Sequence, residues 1–265
     1  MDVLDLLKYY QSLNLSQIEN HDKFNRYSIT HHSTSIEGST LTEIETNLLL
    51  DEGLTPKGKP LEHSLMTTDH ANALFFVMEY AKQKKEINID FIKNINAKVL
   101  AKTGKIYQTV FGELDSSKGV FRKGNVMAGS RYFVNFDKVE HLTIKLCEAV
   151  NSKLKSSSSV LEQLQLSFDA HFDLVSTHPF YDGNGRTSRL LMNYLQLYYN
   201  LPMAIVFKED KTDYIQALED ARNKEDLTPF RNFMIEQYIK LLKQEIENYN
   251  SIHKKDKGSG FSMIF

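Results

Sequence analysis

His178-Pro179-Phe180-Tyr181-Asp182-Gly183-Asn184-Gly185-Arg186-Thr187-Ser188-Arg189 lies between two apolar runs, 160–175 and 190–199. Both runs carry apolar residues at helical spacing, so the segment reads as a turn joining two buried helices. Pro179 disfavours helical dihedrals at His178 and ends the first helix near Thr177. Gly183 and Gly185 leave two backbone positions without a Cβ where the second helix starts. Its free N–H groups and positive dipole end then point at an anion. Arg186 and Arg189, three apart, project from one face of that helix.

Each residue type in the turn suits a phosphate-handling site. The unperturbed pKa of a histidine lies near neutrality, so His178 is a candidate to accept a proton from a hydroxyl. Asp182 is a hard oxygen ligand of the kind Mg²⁺ takes beside phosphate oxygens. Asn184 and the backbone of Gly183 and Gly185 are candidates to hold the phosphate under attack. The planar forks of Arg186 and Arg189 suit a polyphosphate tail. A loop with a capping Asp and two salt-bridging arginines is the bland alternative, but it does not explain so many functional residue types in twelve positions.

The segment resembles the signature of the Fic family, His-Pro-Phe-x-Asp/Glu-Gly-Asn-Gly-Arg-x-x-Arg, at every specified position. The resemblance implies a mostly α fold, a Fic-type helical core with a small β-hairpin flap. It also implies a protein adenylyltransferase, which moves AMP from ATP to a hydroxyl side chain of a target protein, with Mg²⁺. Related Doc-type kinases carry Lys where this chain has Gly185, so Gly185 favours AMP transfer over phosphate transfer. On this resemblance His178 is the base and Asp182 the metal ligand. Residues 183–189, Thr187 and Ser188 included, belong to the nucleotide site.

Composition sets the outer bounds. The 265 residues, 41% hydrophobic and 25% charged with formal net charge −2, fit one or two ordinary globular domains. That charge creates no field that would recruit nucleic acid or an anionic membrane. No apolar run approaches a membrane span, and Met1 to Asp5 do not begin a signal peptide, so a cytoplasmic protein is expected. Cys147, the single cysteine, falls on an apolar helical stripe with Leu142, Leu146 and Val150, which reads as a buried structural thiol. His70 and His171 read as core or neighbouring residues rather than metal ligands.

Upstream, 25–36 reads as a helix that Gly38 ends, which leaves Glu37 at the negative end of the helix dipole. Thr40 to Glu43 reads as a capping box opening the next helix. Glu37 is either a solvated surface charge or is held by a cation. Ser33-x-x-x-Glu37-Gly38 resembles the Ser/Thr-x-x-x-Glu-Gly/Asn motif of Fic proteins restrained by an N-terminal inhibitory helix. By that resemblance Glu37 pairs with Arg189 and keeps it from the γ-phosphate.

The polar stretch 51–60 then links this regulatory segment, residues 1–59, to a Fic domain over 60–245. Helices are expected over 61–80, 87–100 and 140–154, and Ser156 to Ser159 form a polar N-cap region. Alternation over 119–134 around a Gly124-Asn125 turn predicts a β-hairpin. It resembles the Fic flap, so Val126, Met127, Ala128 and Gly129 would line the nucleotide site while the strand edge aligns the target. Asn135 to Asp137 stand where many relatives have prolines. Tyr214 packs in the core or, as aromatics of Fic relatives do, stacks on the nucleotide; Arg222 stands where many carry Asn. The last helix is expected over 229–249, and 246–265 as helix end and flexible tail, with 254–260 disordered.

The partners implied are a protein substrate, self-modification and a homodimer. Removal of AMP from a modified protein by the same site, or non-enzymatic ATP sensing, are the competing readings.

Overall fold

The computed structural model describes residues 2–15, 21–129 and 131–258, with side chains through residue 251. The described residues form ten α-helices and two small hairpins. The helices are α1 (Val3–Ser12), α2 (His21–Ile36), α3 (Glu43–Glu52), α4 (Leu61–Lys82), α5 (Ile89–Val99), α6 (Phe136–Leu154), α7 (Val160–Thr177), α8 (Asn184–Tyr198), α9 (Lys211–Asn223) and α10 (Thr228–Gly258). The hairpins pair β1 (Ile106–Thr109) with β2 (Gly112–Asp115), and β3 (Met127–Ala128) with β4 (Arg131–Tyr132), both antiparallel. The mostly α expectation holds.

The fold is built around α8. Residues 186–196 are all buried, polar and apolar alike, so α8 is covered on every side. α2, α4, α5 and α7 pack directly against it. Leu191 and Tyr194 join a core with Leu74, Val77, Ile92, Ile95 and Leu174. Met192 faces a second core, where Val3, Leu7, Phe168, Phe230 and Tyr238 bring in α1, α7 and α10. Cys147 sits in the first core, and burial pushes its thiol up to about 12, as a structural cysteine requires.

Helix starts follow their caps. Ser159 and Glu162 form a reciprocal capping box at the head of α7, and Asn88 Oδ1 accepts from Phe91 N at 2.8 Å at the head of α5. The box expected at Thr40–Glu43 lies two residues later: Thr42 Oγ1 accepts from Glu45 N, and Glu45 accepts from Thr42 N at 2.8 Å. Thr40 instead turns to His63, its N–H donating to Nδ1 at 3.2 Å. α10 continues past the expected end at Tyr249 to Gly258, so 254–258 are helical; 259 and 260 lie outside the described residues.

The flap hairpin is shorter than expected and turns elsewhere. Asn125 is not at its tip: Asn125 Oδ1 accepts from Phe136 N at 3.0 Å and so holds the entry to α6. The chain reverses after Ala128, where Gly129 has φ +59°. Periodicity did not reveal β1–β2, whose four-residue strands are mostly solvated and leave no apolar alternation.

Candidate active site

The turn between α7 and α8 takes its shape from backbone constraints that its sequence encodes. His178 caps α7 in the left-handed region, φ 49° and ψ 61°, and donates its N–H to Leu174 O at 3.0 Å. Gly183 precedes α8 at φ +76°, and a Cβ there would lie 2.8 Å from Asn96 Nδ2 and against Leu100. Asn96 Nδ2 donates to Asp182 O at 3.0 Å and to Thr187 Oγ1 at 3.1 Å. The loop is therefore pinned from α5, and the first amides of α8 have no intrahelical acceptor.

Several motif side chains serve the loop rather than its contents. Asn184 Oδ1 accepts from Phe180 N and its Nδ2 donates to Phe180 O, both at 2.9 Å, which closes the turn. Thr187 and Ser188 are fully buried, and Ser188 Oγ donates to Asn184 O at 2.8 Å. Asn184, Thr187 and Ser188 thus spend their side-chain hydrogen bonds within the loop and on α5, where they hold the backbone of the turn.

Charge is concentrated in the two arginines. Arg186 is 3% exposed; its Nη2 lies 3.3 Å from Asp182 Oδ1, while Nε and Nη1 have no hydrogen-bond partner. Arg189 donates from Nε to Ser33 Oγ at 2.9 Å and from Nη2 to Ser33 O at 2.9 Å and Glu37 Oε1 at 2.7 Å. Its Nη1 is likewise buried and without a partner. Among the described residues these three buried guanidinium nitrogens have no acceptor, which makes them candidates to hold an anion. Burial works to raise the Glu37 carboxyl, but Arg189 and Arg186 outweigh it and hold it below the ordinary carboxylate range.

Glu37 and Ser33 reach Arg189 because α2 packs on α8 and ends beside the loop. Gly38, at φ +103°, breaks α2 there, and its own surroundings are open. Gly185 lies under this contact: a Cβ on it would meet Glu37 Oε1 at 2.4 Å. Glu37 therefore lies over the first turn of α8.

The imidazole of His178 has no partner on Nδ1, and its ring stacks on Phe133 with centroids 3.8 Å apart at 17°. Burial, and secondarily Arg122, lower its pKa to about 4, so it is neutral at pH 7. Asp182 stands at the rim, its side chain 41% exposed, with Oδ1 accepting from Gly183 N at 2.5 Å. Met127, Ala128 and Gly129 lie exposed on the flap, with Val126 half-buried and its carbonyl accepting from Phe133 N at 3.2 Å.

Tyr214 lies in the core. It is 2% exposed, its hydroxyl hydrogen-bonds His171 Nε2 at 2.8 Å, and its ring lies between Phe230 and Phe233. His171 in turn stacks on Phe230, and His70 Nδ1 meets Thr30 Oγ1 at 3.3 Å, so both histidines are core residues. Sequence reasoning passed over Asn96, Arg122 and Phe133. Only Asn96 carried a signal, as a lone amide on the apolar stripe of Phe91, Ile92, Ile95 and Val99.

The buried imidazoles make stability depend on pH. Burial foremost lowers His31, His32 and His178 to about 4 and His171 to about 3. Between their ordinary value near 6.5 and those values the unfolded chain binds more protons than the native one. Stability is therefore expected to be full above pH 7 and to fall as pH drops from about 6.5 towards 4. Urea midpoints measured across that range check it; a midpoint flat to pH 4.5 would contradict the buried neutral rings.

The fold has solved counterparts. The structure superposes on a Fic-domain signaling protein from Bacteroides thetaiotaomicron with TM-score 0.81 at 22% identity, covering 93% of this chain and 96% of that one. It superposes on Fic-1 (residues 134–508) from C. elegans with TM-score 0.74 at 24% identity, covering 94% and 71%. In sequence, residues 86–196 match the Fic/DOC family model, so this segment is a Fic/DOC domain. Protein adenylyltransferase Fic of Drosophila willistoni is 31% identical over 205 residues, 77% of this chain, and the Drosophila melanogaster protein is equally similar. The chain spans 38% and 39% of the length of these two relatives.

Proposed function

We propose that this chain is a protein adenylyltransferase restrained by Glu37. The observation that carries the reading is the cradle: neutral His178, a rim carboxylate and unpartnered Arg186 and Arg189 nitrogens gathered around the free amides of α8. Relatives 31% identical to it over 205 residues are protein adenylyltransferases by name, and one Fic structure of the same fold is a complex with adenylylated Cdc42.

In the proposed reaction a target hydroxyl oxygen attacks the α-phosphorus of ATP. The bond from that phosphorus to the bridging oxygen breaks, pyrophosphate leaves, and His178 takes the hydroxyl proton. The α8 amides receive the α-phosphate, while Arg186 and Arg189 hold the β- and γ-phosphates. Rate enhancement rests on positioning and charge stabilisation. Among the described residues no group of three or more His, Cys, Asp or Glu side chains is placed to hold a metal alone. A single rim carboxylate fits Mg²⁺, which takes most of its ligands from phosphate and water, so Asp182 would hold it. Bound there, Mg²⁺ would neutralise phosphate charge as pyrophosphate departs.

Restraint follows from the Arg189 contacts. With Ser33 and Glu37 on two of its nitrogens, Arg189 offers the γ-phosphate only Nη1, beside a carboxylate. The test is self-labelling with ATP radiolabelled at the α- or the γ-phosphate. Label from the α position only is expected; label from γ would make the protein a kinase and overturn the reading.

A further inference from the structure

Arg122 is 2% exposed and has no carboxylate partner among the described residues; all three of its guanidinium nitrogens donate to backbone carbonyls. Nε donates to His178 O at 2.8 Å, Nη1 to Gly124 O at 2.9 Å and Nη2 to Val134 O. Its own N–H donates to Pro179 O at 2.9 Å. Gly124 and Val134 stand on opposite limbs of the segment that carries β3–β4, and His178 carries the candidate base. One side chain thus ties both limbs of the flap to the residue after α7. The neighbour of Val134, Phe133, lays its ring on the imidazole, and the Arg131 guanidinium lies over the Phe133 ring 4.8 Å from its centroid.

A buried cation satisfied only by carbonyl dipoles is costly to place, and a lysine in the same space has one head for three acceptors. Its three-way geometry has a consequence beyond stability: the flap and the imidazole keep one register. We infer that Arg122 is a positioning residue for His178, clamping the flap so that Phe133 packs on the imidazole and leaves its edge to the incoming hydroxyl. The role in catalysis rests on the adenylyltransferase reading; the clamp itself does not. Arg122 does its work through the two backbones it joins and touches no reacting atom.

The experiment uses the full chain with ¹³C-labelled histidine, the His178 signal being identified by its loss in His178→Ala. In the parent protein the imidazole C–H signal is expected upfield, shielded by the Phe133 ring, and Phe133→Leu should return it to an ordinary position. Arg122→Lys should shift it the same way in a chain that still unfolds cooperatively. With Glu37→Gly present, it should lower kcat on the order of 10²-fold at unchanged KM for ATP. An Arg122→Lys protein whose His178 signal stays at the parent position would overturn the inference. If that variant does not fold, hydrogen exchange on the parent decides. One clamp requires the Arg122 and Phe133 amides to exchange through a common opening, and unrelated rates would refute it. Absence of label in the parent and in Glu37→Gly, with the spectral shifts as expected, would count against the enzyme reading and leave the clamp standing.

Discussion

Glu37→Gly is expected to raise the initial rate of AMP incorporation from α-labelled ATP by about 10²-fold or more. A carboxylate about 4 Å from a phosphate charge costs roughly 4 kcal/mol at the effective dielectric of a partly buried site. Removing it also frees Arg189 Nη2 from its 2.7 Å bond to Glu37 Oε1, so a second nitrogen turns to the γ-phosphate. A barrier lower by about 3 kcal/mol is about 10²-fold in rate. The same substitution leaves Arg189, 4% exposed, without a counter-ion, and a buried charge stripped of its partner is destabilising. The variant should therefore melt lower than the parent without nucleotide and gain more stability from ATP, because the phosphate replaces the lost carboxylate. Ser33→Ala removes only a neutral acceptor of Arg189 Nε and should activate far less. Equal labelling rates in parent and Glu37→Gly would mean that the Glu37–Arg189 pair is purely structural.

His178→Ala, placed in the Glu37→Gly background, is expected to bring labelling down by about 10³-fold while the thermal shift with ATP persists. General-base removal commonly costs 10²- to 10⁴-fold. Loss of the imidazole should not weaken nucleotide binding, because the α8 amides and the arginines do not depend on it. With its pKa lowered to about 4 by burial and by Arg122, the free-enzyme base stays unprotonated to well below pH 6. The acid limb of the rate profile should accordingly lie below that of an ordinary histidine. Retained labelling in His178→Ala would assign the proton to another acceptor. Lost labelling accompanied by lost ATP stabilisation would point to a collapsed loop instead.

How much of this was legible beforehand depended on the range of the interaction. The turn 178–189 was readable because its constraints are local: a proline fixing its neighbour, a left-handed glycine, and arginines spaced by the helical repeat. The helices followed from apolar periodicity and from caps a few residues away. From its residues alone Glu37 was legible as a carboxylate placed against the dipole of α2; its pairing with Arg189 came only from the resemblance of the Ser33–Gly38 motif, since the 2.7 Å contact spans 152 residues of chain. The flap was misplaced because Gly124-Asn125 has the composition of a hairpin turn, whereas packing gives Asn125 to Phe136 N and Gly124 O to Arg122.

Residue chemistry and short spacing pointed to a candidate anion cradle, base and carboxylate on one loop, and the family resemblance of that motif implied the mostly α fold. Which side chains face the cradle and which merely hold it shut was set by tertiary packing. Asn184, Thr187 and Ser188 sit in the motif yet point into the loop and core, since a buried polar group must find its partner wherever the fold provides one. Tyr214 went to His171 for the same reason, and Arg122 to three carbonyls that no sequence window holds together.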